Sequence, residues 1–163
     1  MLAETIKKTT ETWTAEPDKA KGAPAVVART EGPTATLEVG SFKFATDLPP
    51  PLGGSNAHPS PTALLLGALA GCAAVFIRDT LAPQYDIEIE SVEAKASCTA
   101  DNRGLLGMAG AVPDLANLKI EVTIVSPGGA AAVVRLAGLW RERCPVYLAL
   151  IKANVVASEF KAG

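Results

Sequence analysis

Apolar and small residues run almost unbroken from Ala63 to Ile77, and the rest of the chain is organised around that stretch. Pro61 suits a first helical turn, where its missing N–H costs nothing. A helix apolar on every side is buried in a core or spans a membrane. This run falls short of the roughly 18–20 residues a span needs, and Arg78 and Asp79 close it. The pattern therefore predicts a central buried helix with Cys72 set into it. Gly67, Gly71 and the alanines let other backbones come close. Ala82-Pro83 then stops the helix.

Strand patterns flank it. Residues 25–30, 34–39 and 42–47 have strand character and are separated by turn signals, which predicts a small antiparallel meander. Pro49-Pro50-Pro51 and Gly53-Gly54 make a loop that no regular element absorbs. After the helix, Tyr85, Ile87 and Ile89 share one face of a strand. Val92, Ala94, Ala96 and Cys98 continue with the opposite parity, so a bulge or bend is expected near Ser91. Residues 101–114 read as a Gly-rich loop with Leu105, Leu106 and Met108 exposed or lid-like. Leu118, Ile120, Val122 and Ile124 alternate as a strand. A helix is expected from about Ala130 to Glu142, with a stripe of Val133, Val134, Leu136, Ala137 and Trp140. Cys144-Pro145 interrupts the helical pattern, and a last helix follows from about Val146 to Val156. Residues 1–22 read as a flexible lead-in whose Trp13 docks on the body or on a second subunit. Residues 23–163 then form a single domain. Strands, helix, strands, helices in that order predict an α+β fold.

Composition narrows the function. The 163 residues are 48% hydrophobic with a net charge of −2, enough to bury a core and not basic enough to suggest nucleic acid or an anionic membrane. The first residues are polar, with Lys7 and Lys8 and no apolar stretch behind them, unlike a signal peptide. Three cysteines argue against a disulfide framework and for a cytoplasmic protein with reduced thiols. With no CxxC and His58 as the only histidine, a Cys/His zinc or haem site has little support.

The chemistry then rests on thiols. If Pro145 opens the last helix, Cys144 is its N-cap, and backbone N–H groups at the positive dipole end favour a thiolate there. Arg141 and Arg143 lie close enough in sequence to add positive charge. The plainer alternative is a kink between two helices with an inert buried thiol. Cys72 sits on an apolar face, which raises a thiol pKa unless a cation faces it. Cys98 follows the inward parity of its strand and reads as core, and His58 reads as a surface group.

Pro59-Ser60-Pro61 followed by Leu64 through Cys72 resembles the first cysteine motif of the OsmC/Ohr family, the osmotically inducible and organic hydroperoxide resistance proteins. Cys144-Pro145-Val146 resembles the second. The resemblance covers roughly residues 25–158. The resemblance implies antiparallel sheets around central helices in an intertwined homodimer. It also implies thiol-dependent reduction of organic hydroperoxides, with Cys72 peroxidatic, Cys144 resolving, an external dithiol as reductant, and no metal, haem or flavin. The two sulfurs should then meet in the fold. An arginine of the N-terminal strands usually holds the thiolate in that family, and Arg29 is the candidate here. The family motif commonly carries a glutamate ten residues before its cysteine. Here that position is Thr62, with Glu31, Glu38, Asp47 and His58 as candidate substitutes. The departure keeps a second reading alive: a non-catalytic OsmC-like homodimer that binds a small hydrophobic ligand in an apolar pocket.

Overall fold

The computed structural model describes residues 1–162. Three strands, β1 (Val27–Glu31), β2 (Thr34–Val39) and β3 (Phe42–Asp47), form one antiparallel meander. Its register pairs Arg29 with Thr36 and Leu37 with Phe44. A second antiparallel pair, β4 (Ser91–Thr99) and β5 (Ala116–Val125), lies against the helices. These are α1 (Leu2–Ala15), α2 (Pro61–Phe76), α3 (Ala82–Gln84), α4 (Gly129–Arg143) and α5 (Pro145–Ile151). The fold is α+β, as the order of patterns predicts.

The central helix is longer than its pattern suggests. Ser60 caps it by accepting from the Ala63 N–H at 3.2 Å. It then runs through a π-helical segment, Ile77–Leu81, into α3 and ends at Gln84. Arg78 and Asp79 do not close it, because they pair with each other at the surface at 2.7 Å. Pro83 falls in the first turn of α3, where an N–H is least missed. The 24-residue run from Pro61 to Gln84 is thus long and apolar enough, by length and composition, to cross a membrane. One stripe of it, however, lies in the protein core. Leu69, Ala73, Ile77 and Leu81 are buried together with Leu136, Trp140 and Cys144, and Val92, Ala94, Ile120 and Ile124 pack against them. These four residues are spaced by four. In a straight α-helix that spacing drifts by about 40° per step. The wide π turn takes up part of the drift and keeps Ile77 and Leu81 facing inward. Burying side chains such as Ile77, Leu81 and Leu136 contributes about 1.5–3 kcal/mol each.

The expectation of burial on all sides is not met within one chain. Val75 is 52% exposed, and a Cβ added at Gly67 or Gly71 would meet nothing. The meander is also open, with every residue of β1 exposed.

Other expectations shift. The first residues form α1, which packs against α3 and the π turn, where the sequence reads a flexible lead-in. Tyr85 to Glu90 is not a strand. β4 begins at Ser91, and its ladder shifts at Cys98 rather than near Ser91. The parity change there marks the passage from turn to strand. The last helix stops at Ile151 instead of Val156, and Val155 is fully exposed. On α4, Leu136 and Trp140 face the core as expected, but Val134 faces out.

Candidate active site

α2 and the α4–α5 junction bring two sulfurs together. Pro145 has no N–H and disfavours a helical backbone at the residue before it. Cys144 is accordingly extended, at φ −68° and ψ 112°, and serves as the N-cap of α5. Its own N–H still donates to the Trp140 carbonyl at 2.8 Å, and its carbonyl accepts from the Leu148 N–H at 2.9 Å. Both helices therefore hold it, and it is fully buried. Its Sγ lies 3.0 Å from Cys72 Sγ. The expected meeting of these two residues, 72 positions apart, is present with both thiols free.

The electrostatics differ from the sequence expectation. The first amide of α5, that of Val146, favours the Cys72 thiolate, and the Cys144 side chain takes no cap hydrogen bond. Burial pushes the Cys72 thiol up to about 11, and the hydrogen bond and charge of Cys144 push the same way. The Val146 N–H opposes them and is outweighed. No cation is among the groups acting on Cys72. Arg143 turns away, donating to Gln84 Oε1 at 3.1 Å and to the Tyr85 hydroxyl at 2.5 Å.

Arg29 is not brought to the sulfurs within this chain. It lies on exposed β1 and pairs with Glu38 of β2 at 2.6 Å. Glu38 also holds Lys43 at 2.7 Å, and the two cations keep its carboxyl below the usual range. Of the four candidate substitutes for the glutamate absent at Thr62, Glu38 is the one bonded to Arg29. Asp47 is committed elsewhere. It accepts from the Leu48, Ser55 and Ala57 N–H groups and the Ser55 hydroxyl, which together push its carboxyl down to about 2. His58 is exposed, and Cys98 is half-buried on β4 outside the pair. Among the described residues no group of three His, Cys, Asp or Glu could hold a metal ion.

A mainly apolar cavity of about 410 Å³ lies between β5 and α4, walled by Ile77, Ile120, Val122, Trp140 and Tyr147 with Arg141 at its lining, and neither Cys72 nor Cys144 lines it. The Trp140 and Tyr147 rings meet at a 40° tilt with centroids 4.7 Å apart. The Trp140 indole N–H is buried with no hydrogen-bond partner. The alternation of β5 and the stripe of α4 carry a signal for these walls. Nothing local in the sequence marks the Val146 amide or the Arg143–Tyr85 contact.

Residues 53–159 match the family model described as OsmC-like protein. The chain belongs to that family. Cys72 and Cys144 of this OsmC-like protein lie inside the matched span, whereas Arg29 and Glu38 precede it. Solved structures agree on the fold. One is an OsmC-like protein from Mycoplasma pneumoniae, 20% identical, with a TM-score of 0.66 over 80% of this chain and 88% of that one. Another is an organic hydroperoxide resistance protein OsmC from Legionella pneumophila, 18% identical, with a TM-score of 0.60 over 80% and 90%. A third, from Vibrio cholerae, is described as a putative organic hydroperoxide resistance protein with captopril in one of its active sites. It is 16% identical, with a TM-score of 0.56 over 80% and 87%. No curated protein matches the chain in sequence.

Proposed function

We propose that this OsmC-like protein is a cysteine-based peroxidase acting on organic hydroperoxides. The observation that carries the reading is the 3.0 Å approach of the two free thiols, one half-buried and one sealed in the core. The Cys72 thiolate attacks the terminal oxygen of the O–O bond. The alkoxide leaves and is protonated to an alcohol, and Cys72 becomes a sulfenic acid. Cys144 Sγ then displaces the sulfenic hydroxyl as water, giving a disulfide. An external dithiol reduces that disulfide in two exchanges and is itself oxidised. A mainly apolar cavity that shares Ile77 and Trp140 with the core around Cys144 suits the organic part of such a substrate.

A thiol pushed up to about 11 needs a cation before it attacks at neutral pH. Arg29, supported by Glu38, is the group assigned to that task by family resemblance. It would arrive from the open meander of a second copy laid against α2. The exposed flank of α2, with nothing near Gly67 and Gly71, favours the same homodimer. The high Cys72 pKa also favours a second reading, in which the dimer binds an apolar ligand and does no chemistry.

Thiol titration separates the two. Native protein treated with one equivalent of cumene hydroperoxide should lose two thiols per chain, and Cys72→Ser should lose none. Equal inertness of wild type and Cys72→Ser would leave the binding module standing.

A further inference from the structure

Arg143 is the last residue of α4 and the immediate neighbour of Cys144. Its guanidinium donates to Gln84 Oε1 at 3.1 Å and to Tyr85 Oη at 2.5 Å, and lies 5.5 Å from the Tyr85 ring centre. Arg135, two turns earlier on α4, sits over the same ring at 4.7 Å. Gln84 ends the helical run that starts at Pro61 and carries Cys72, and Tyr85 is its C-cap. One side chain thus fastens the element bearing one sulfur to the junction bearing the other. Among the described residues, neither arginine has a carboxylate within ion-pair distance, so both guanidiniums are left to Tyr85 and Gln84.

We propose that Arg143 is a positioning residue for the Cys144 thiol, acting through Gln84 and Tyr85 to hold the α4–α5 junction against the Cys72 helix. The inference rests on the reading of Cys72 and Cys144 as a working pair. The sulfurs must close from 3.0 Å to about 2.05 Å to bond, a short movement that a swinging junction would lengthen. Beyond the junction, α5 is only seven residues long and is held by Val146, Tyr147 and Leu150 against the core, so the Arg143 contacts add a restraint from outside the core. Two acceptors set side by side suit the fork of an arginine better than the single ammonium of a lysine.

The test measures a disulfide equilibrium and uses no peroxide. Full-length wild type, Arg143→Met, Arg143→Lys and Tyr85→Phe are equilibrated with glutathione and glutathione disulfide. One glutathione disulfide is reduced to two glutathiones for each Cys72–Cys144 bond formed, and mass spectrometry counts the bonded fraction. Arg143→Met should shift the equilibrium constant toward the thiols by about fivefold, the scale of one or two hydrogen bonds, with Arg143→Lys in between. Tyr85→Phe removes one oxygen, keeps the ring, and should shift it the same way by more than about twofold. It carries the test alone if Arg143→Met does not fold. A residue that merely stabilises the fold would lower the melting temperatures of the oxidised and reduced forms together and leave the constant unchanged. That outcome overturns the proposal. A clamp-dependent equilibrium in a protein inert to every hydroperoxide would sink the peroxidase and keep the clamp.

Discussion

Cys72 holds a proton that a peroxidatic sulfur must lose. Burial is the largest cause, but Cys144 adds to it both as hydrogen-bond partner and as a nearby charge. Both additions raise the pKa, so removing them lowers it. Cys144→Ala should therefore shift the alkylation midpoint of Cys72 to lower pH than the about 11 of the intact pair, read as a pH profile of iodoacetamide labelling at that residue. An unchanged midpoint would mean that burial alone sets the value. The sulfur that the sequence presents as the better nucleophile, at a helix N-cap, is the sealed one. The amide expected to serve it acts on its neighbour: Pro145 offers no N–H, and the next donor, Val146, lowers the Cys72 pKa.

At the scale of elements, the loop between β3 and α2 is built around Asp47. Three backbone N–H groups and the Ser55 hydroxyl converge on its carboxylate, which is 3% exposed. Gly54 is required there, since an added Cβ would lie 1.9 Å from the Leu48 carbonyl oxygen. The Thr46 hydroxyl and the Asp47 N–H then bond the Pro59 carbonyl, fixing where Ser60 can cap the central helix. A carboxyl lowered to about 2 contributes stability that is full above its ordinary value of 3.8 and lost as pH falls through about 2. Asp47→Asn should melt well below wild type at neutral pH, with the gap narrowing as both are titrated from about pH 4 to about pH 2. Melting curves across that range are the check. A gap constant with pH would assign the loss to packing instead of charge.

The whole molecule leaves more apolar surface open than an isolated chain usually does. Val75 on the central helix and Phe42 and Phe44 on the meander are exposed, and β1 has no buried residue. A long apolar helix packed along one stripe only leaves a face that the proposed homodimer would cover with a second copy. Sedimentation at micromolar concentration should show a dimer as the smallest well-folded species. A compact stable monomer would remove the proposed route of Arg29 to a cysteine.

The strands, the helix around Cys72, the break at Cys144-Pro145 and the two family motifs were legible in the sequence, because periodicity and proline geometry act over a few residues. The length of the central helix was not. Arg78 and Asp79 look like an end until the fold lets them pair outside while Ile77 and Leu81 point inward. Residues 85–90 alternate like a strand because apolar alternation also occurs in a turn whose side chains lean on a core. Glu38 as the partner of Arg29, the Val146 amide at Cys72, and the grip of Arg143 on Tyr85 came only from tertiary structure. The last of these joins residues 58 positions apart in sequence. Local sequence sets which backbone shapes are cheap. Which donor meets which acceptor is decided when buried stripes such as Leu69–Leu81 and Leu136–Trp140 lock together, and that depends on every residue in the interface at once.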